Sequence, residues 1–231
     1  MSTTILRGGA RLALAGTLLL GTAICASAST PNQSRTDRQE AIQVVDGAVQ
    51  TVKTMEATPQ LKALLANAKG VFILPSFTRG AFVVGGRSGE GVLLCHNADG
   101  SWSDPVFYST GGISVGAQVG GSHGEAAYIL TTDNALGSFK SGNNFSLNAG
   151  SGFTIVRFSR NEQSSWGKGA IVFWTNTAGA YVGATVSGAD ISWDGGLTKA
   201  FYHDGNATIG QVLDGKVQSA SARQLQDVLP T

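Results

Sequence analysis

Hydrophobic and polar positions follow two different periods along the chain, and the change falls near Gly70. Before it, apolar residues recur three or four positions apart, as on one face of a helix; they are Ala41, Val45, Ala48, Val52 and Met55. This pattern predicts an amphipathic helix over 36–55, with Thr36 as N-cap and Gln39 completing a capping box. A cap at Thr58 predicts a second, short helix that ends near Gly70.

After Gly70 the pattern becomes that of strands, with short apolar or alternating runs separated by turn residues. We predict roughly eight to ten strands from these signals, over 71–74, 80–84, 91–94, 102–110, 113–119, 126–132, 145–158, 169–176 and 179–187. The second and third of these runs predict one hairpin, and the last two predict another. Short helices are predicted over 133–139, capped by Asp133, and over 219–229.

Glycine is the compositional outlier, with 32 residues against 5 prolines, and the glycines lie inside apolar stretches rather than in linkers. Glycine within strands marks bulges and sharp bends, which a strongly curved sheet needs. We therefore predict an α+β fold: a mainly antiparallel, strongly curved β-sheet or barrel-like core with N-terminal helices and short late helices. No Pro- or Ser-rich linker divides residues 29–231, which predicts a single domain.

The first 28 residues have the pattern of an export signal. Arg7 and Arg11 precede an apolar run over 12–24, and the small residues of 26–28 predict cleavage after Ala28. Cys25 leaves a second possibility open, that of a lipoprotein whose first residue is an acylated Cys25 anchored at the outer membrane. The sequence thus predicts an exported protein of the periplasm or cell envelope.

Charge and composition narrow the class of partner. Without residues 1–28 the chain has 14 basic and 15 acidic residues, so a general nucleic-acid binder is excluded and attraction to an anionic membrane must be local. His96, His123 and His203 lack the spacing of metal ligands, and no cofactor motif is present. The sequence predicts neither a metal nor a cofactor.

One motif raises the possibility of an enzyme. Residues 112–116 match the letters of a hydrolase nucleophile elbow around Ser114, but that motif requires a helix to follow. The alternating residues 117–121 are poor helix formers, which favours an ordinary strand serine. A hydrolase is therefore the third-ranked hypothesis.

Several glycine-rich motifs resemble those of the SYLF (Ysc84-like) domain family. They stand, in the family's order, at 68–75, 79–87, 89–94, 99–105, 112–120 and 179–188, followed by Phe201 and Tyr202. The resemblance covers about residues 58–203. It implies a domain that binds lipid without catalysing a reaction on it. The family is known mainly from members that contact phosphoinositide membranes and help to organise actin.

The resemblance implies that the helix over 36–55 and nearby basic residues face the lipid. Lys69, Arg79 and Arg87 match the family pattern, and Lys62 lies on the short helix before it. Arg79 and Arg87 end one predicted strand, about 27 Å apart, so one of them could share a phosphate only with Lys69 or Lys62. In a different interpretation, the apolar stripe of the helix packs on the sheet as core.

These observations predict a non-enzymatic lipid-binding protein of the bacterial cell envelope. Its ligand is an anionic lipid or another amphiphile, held on an apolar surface or in an apolar cavity with basic residues at the rim. The alternative is a structural or surface protein of the envelope that acts through protein–protein contacts.

Overall fold

A computed structural model describes residues 31–79, 89–111, 122–142, 144–147, 153–158, 169–176 and 189–231. The helices are α1 (Pro31–Glu56), α2 (Pro59–Ala66), α3 (Asp133–Lys140), α4 (Gly195–Tyr202), α5 (Ile209–Leu213) and α6 (Arg223–Val228), with a 3-10 turn at Ala220–Ala222. The strands are β1 (Gly70–Arg79), β2 (Gly89–Cys95), β3 (Val106–Gly111), β4 (Ser122–Leu130), β5 (Phe145–Leu147), β6 (Ile155–Arg157), β7 (Ile171–Asn176) and β8 (Ala189–Trp193).

The eight strands form one sheet in the order β5-β8-β3-β2-β1-β4-β7-β6. Every pairing is antiparallel except that of β6 with β7. The predicted antiparallel α+β fold is therefore confirmed.

Chain connectivity requires this sheet to curve. The outer strands β5 and β6 follow each other in sequence, and Leu147 and Ile155 are eight peptide steps apart, which span at most about 29 Å. In a flat sheet, seven strand spacings of about 4.8 Å would hold these edges roughly 34 Å apart. The two edges must therefore bend toward each other, as the prediction of a strongly curved sheet requires.

Aromatic side chains fill the inner face of the curve. Four ring contacts connect β5 to β7, with centroid distances between 4.7 and 6.0 Å; the rings belong to Phe145, Phe139, Phe72, Tyr128 and Phe173. Along the sheet the same strands are six spacings of about 4.8 Å apart, so the rings lie on the concave side. The apolar cavity expected from the sequence is not found in this described part of the concave face.

The helix α1 packs on the sheet and on the late helices α4 and α6. The five residues of its predicted apolar stripe are fully buried. This placement confirms the interpretation of the stripe as core rather than as a membrane-facing surface. The predicted capping box is wrong, because the Thr36 hydroxyl lies inside the helix and donates to the Asn32 carbonyl at 3.2 Å.

Other local predictions also need correction. The N-cap of α3 is Thr132, whose side chain accepts the Ala135 N–H, rather than Asp133. The strand β7 pairs with β4 and β6, whereas the second half of its predicted hairpin, 179–187, lies outside the described residues. Predicted strands at 80–84 and 113–119 lie outside them as well. The sequence pattern does not predict helices α4 and α5.

Candidate functional site

Three of the six family-like motifs, those at 79–87, 112–120 and 179–188, fall in or beside the connections at one end of the sheet. At this end β1, β3 and β7 finish and β2, β4 and β8 begin, as the pairings of Phe77 with Gly89 and of Gly111 with Asp190 establish. The chain segments 80–88, 112–121 and 177–188 connect these strands, and in sequence they are apolar, rich in glycine and carry Arg87 as their single charge. We call this the glycine-rich end, and the opposite end, where β1 begins, the Gly70 end.

The predicted basic residues divide between the two ends. Lys69 precedes Gly70, whereas Arg79 is the last residue of β1, roughly 30 Å away at about 3.3 Å per residue. The strand therefore keeps Lys69 and Arg79 too far apart to share one phosphate. Arg87 lies outside the described residues.

Both lysines at the Gly70 end are exposed and have acidic neighbours. The Lys62 Nζ lies 3.3 Å from the Glu56 carboxylate, and the Lys69 Nζ lies 3.8 Å from that of Asp133. Such exposed pairs contribute little to stability, and they partly neutralise the charge that an anionic headgroup would meet.

A groove of about 410 Å³ runs along β3 and β8, beginning where both strands meet the glycine-rich end. We call it the β3–β8 groove; its lining includes Ser109, Gly111, Asp190, Ser192, Trp193 and Asp194. Ser109 pairs with Ser192 and Gly111 with Asp190, so alternation places these four residues on one face of the sheet. Two carboxylates therefore line a groove whose described walls contain no Lys, Arg or His.

Hydrogen bonds fix one wall of this groove. Asp194 caps α4 by accepting the Leu197 N–H at 2.9 Å, and its second oxygen accepts the Ser109 hydroxyl at 2.8 Å. The Trp193 indole N–H donates to the Thr198 hydroxyl at 3.2 Å, which sets the direction of the ring. Asp190 is exposed and accepts a hydrogen bond from Ser146 of the neighbouring edge strand. The wall is thus ordered before any ligand arrives.

A larger groove of about 870 Å³ lies between the β2–β3 loop, the end of α3 and the C-terminal segment. Its walls are mainly amides, hydroxyls and charges of both signs, including Lys140, Asp214 and Gln226. At its base Asp104 accepts the Ser219 N–H at 2.7 Å and the Gln226 amide at 2.8 Å. Burial nevertheless raises the pKa of Asp104, because desolvation outweighs these bonds.

The side chains of Cys95 and His96, near this groove, have structural roles. Burial raises the pKa of Cys95 to about 11, which keeps the thiol protonated and unreactive at neutral pH. The His96 ring stacks on Trp102 at 4.6 Å, and its two nitrogens face the carbonyl oxygens of Ala68 and Gly100 at 3.1 Å. These groups hold the β2–β3 loop in place.

Two kinds of feature are absent from the described residues. No cluster of His, Cys, Asp or Glu in them is able to hold a metal ion. None of the helices in the described ranges has both the length and the apolar character required to cross a bilayer. His203 is the exposed C-cap of α4, while Ser114, the candidate nucleophile, and Cys25, the candidate lipidation site, lie outside the described residues.

Comparison with known proteins gives sequence matches to members of one family. A family model named Ysc84 and described as "Las17-binding protein actin regulator" matches residues 111–231. The chain is 31% identical to an SH3 domain-containing protein of Schizosaccharomyces pombe, over 78% of this chain and 42% of that protein. It is 28% identical to LAS seventeen-binding protein 3 of Saccharomyces cerevisiae, over 69% of this chain and 35% of the other.

A mammalian relative shows the same partial coverage. The SH3 domain-containing YSC84-like protein 1 of Mus musculus is 27% identical, over 72% of this chain and 49% of that protein. The chain therefore spans less than half the length of these curated relatives. The names of these relatives apply to whole proteins that have long segments outside the shared part.

Proposed function

Because the chain belongs to the Ysc84 family, we propose that it is a non-enzymatic module that binds an anionic lipid or another amphiphile at the glycine-rich end of its sheet. One relative is named as a binding protein and another as an SH3 domain-containing protein, and neither name is that of an enzyme. Their shared segment is the part that this chain contains.

The observation that carries the proposal is the common attachment of three apolar, glycine-rich segments to one end of the sheet. Apolar segments favour transfer into the headgroup and acyl boundary of a bilayer. Arginine suits the adjoining phosphates, because its guanidinium donates several hydrogen bonds to phosphate oxygens. Arg87 is the single charge in these segments, and Arg79 ends a strand beside them.

The proposal also places the protein in the bacterial cell envelope, after export directed by residues 1–28. Mass spectrometry of the protein from the cell envelope would show a chain beginning at Ser29 or an acylated chain beginning at Cys25. A chain that retains residues 1–28 would contradict export.

Vesicle co-sedimentation of the purified protein tests the lipid assignment. Binding to vesicles that contain phosphatidylglycerol is expected to weaken about fivefold in Arg79→Ala and in Arg87→Ala, since a basic residue near an anionic surface contributes about 1 kcal/mol. The matched controls are Lys62→Ala and Lys69→Ala at the Gly70 end, for which we expect unchanged binding.

Two results would contradict this assignment. If Lys62→Ala and Lys69→Ala weaken binding while the arginine variants do not, the lipid faces the Gly70 end. If neither anionic nor neutral vesicles bind at low salt, the lipid function fails altogether.

A second candidate function is a protein–protein contact in the envelope. The names of the relatives favour it, since one refers to binding of Las17. The chain covers 35% of that relative, so the contact can belong to its other segments. Absence of vesicle binding together with a stable envelope partner, recovered by cross-linking, would favour this second function.

A further inference from the structure

We propose that His96 is a pH-sensitive clamp that holds the β2–β3 loop, residues 96–105, against the C-terminal segment of the chain. With two ring protons the imidazole fixes the loop in place, and with one ring proton it releases part of it. The switch involves no lipid, so it stands or falls independently of the proposed function.

Both nitrogens of the His96 ring face hydrogen-bond acceptors. Nδ1 lies 3.1 Å from the Ala68 carbonyl oxygen, and Nε2 lies 3.1 Å from the Gly100 carbonyl oxygen. A neutral imidazole has one N–H and one lone pair, whereas the imidazolium ion has two N–H donors. Only the protonated ring therefore donates to both carbonyls. In either neutral tautomer, a nitrogen lone pair faces a carbonyl oxygen and is repelled by it.

The two carbonyls belong to different segments of the chain. Ala68 lies between α2 and β1, and Gly100 lies in the β2–β3 loop. The protonated ring thus connects the loop to the start of β1. The His96 backbone N–H also donates to the Lys69 carbonyl at 3.0 Å, and this bond does not depend on the ring proton. We therefore expect loss of the proton to loosen the loop beyond His96 while the first loop residue stays paired.

Trp102 links the His96 ring to the C-terminal segment. The two rings stack with their centroids 4.6 Å apart and their planes 8° apart, and an aromatic face attracts a positive charge. Trp102 is buried; its indole N–H donates to the Pro230 carbonyl at 2.9 Å, and its own carbonyl accepts the Gln226 amide at 3.0 Å. A change at His96 therefore reaches the wall of the larger groove that the loop and the C-terminal segment form.

The surroundings of the ring allow it to respond to pH. Histidine exchanges its second proton between about pH 5 and pH 8, and the partly exposed His96 ring is open to solvent. Asp99 of the same loop is near enough for its carboxylate to attract the protonated ring. Lys69, on the preceding segment, is paired with Asp133. The other titratable groups beside Trp102 line the larger groove and have both signs: Asp104, Lys140 and Asp227.

Hydrogen exchange of the purified protein, measured by NMR at two pH values, tests the clamp. The reporters are the amides of Asn97 and Ser103 in the loop and of Leu229 in the C-terminal segment, each of which donates to a backbone carbonyl. Protection factors correct for the intrinsic effect of pH on exchange. We expect them to fall about five- to tenfold from about pH 5.5 to about pH 8, because the neutral ring leaves one carbonyl unpaired.

Two variants show whether His96 causes this change. His96→Phe keeps a flat ring for Trp102 but has no N–H, so its reporter amides should be weakly protected at both pH values. His203→Asn is the matched control: it removes an exposed histidine at the end of α4, and asparagine tolerates the left-handed backbone there. The control should show the same fall in protection as the natural protein. Titration of Asp104 is common to all three proteins and is removed by comparing them.

The proposal is overturned if protection does not fall with pH, or if it falls equally in the natural protein and in His96→Phe. NMR of the natural protein gives a second test that needs no variant. At about pH 5.5 both ring N–H protons of His96 should be observed, since each is held by a carbonyl, and at about pH 8 only one should remain. One ring N–H at both pH values would also overturn the clamp.

Discussion

The two ends of the sheet are built differently. At the Gly70 end, side chains are buried and their polar atoms are paired: Val71–Leu74 are fully buried, and the Trp102 indole donates to the Pro230 carbonyl at 2.9 Å. Toward the glycine-rich end the same strands present partly or fully exposed polar residues such as Ser76 and Ser109. The difference indicates that, within the described residues of β1, the buried contacts that stabilise the fold lie in the first half of the strand, nearer the Gly70 end.

The largest expected effect comes from a comparison of two positions in β1. Phe72→Ala removes a fully buried ring in contact with Tyr108, Tyr128 and Phe139, and should lower the free energy of unfolding by about 3–5 kcal/mol. Ser76→Ala, four residues nearer the glycine-rich end, should change it by no more than about 0.5 kcal/mol. Chemical denaturation measures both, and similar losses would refute the contrast between the ends.

A smaller effect is expected from crowding the sheet. A Cβ at Gly91 would lie 2.5 Å from the Ile73 carbonyl oxygen and 2.8 Å from the Phe72 ring. Gly91→Ala should therefore destabilise the protein by about 1–3 kcal/mol, as overpacked cores do. The control is Gly137→Ala in α3, where nothing lies within 4 Å and alanine should stabilise the helix by about 0.5–1 kcal/mol. Equal melting temperatures of the two variants would show that the packing around Gly91 has room for a methyl group, which would contradict this prediction.

The smallest effect concerns pH and Asp104. Its pKa is raised in the folded state by burial, so the folded protein keeps that proton at a pH where the unfolded chain has lost it. Stability relative to Asp104→Asn should consequently fall as pH rises from about 4 through the folded pKa, and stay level above it. Thermal melts of both proteins across this pH range give the difference in stability between them. If the stability of the natural protein relative to Asp104→Asn rises with pH, the raised pKa of this carboxyl is contradicted.

The sequence predicts the core better than the order of strands. Helical spacing in α1 and buried runs in β1 and β2 are local signals, and the structure confirms them. Strand pairing is not local: β7 lies between β4 and β6, and no hydrophobic period along the chain reveals that order. The sequence gives little signal for α4 because Gly195 and Gly196 occupy its first turn, whereas the capping box of Thr208 and Gln211 is a visible signal for α5.

The candidate site was harder to predict. The separation of Lys69 from Arg79 follows from the length of one strand, but the hydrophobic pattern predicts that strand only to residue 74. The groove residues gave a weaker signal, the alternation of Asp190, Ser192 and Asp194, which places three polar groups on one face. Only the pairing of β8 with β3 brings Ser109 and Gly111 beside them.

The packing of α1 against α6 has a consequence for biogenesis. The Gln224 amide bonds to Asp46 across a separation of 178 residues, so the first described helix meets the last. During synthesis β1 and β2 are available to α1 early, but the part of α1 that α4 and α6 cover stays exposed until those late helices have been made. A nascent chain that lacks α4 and α6 therefore exposes apolar surface, which favours binding by chaperones.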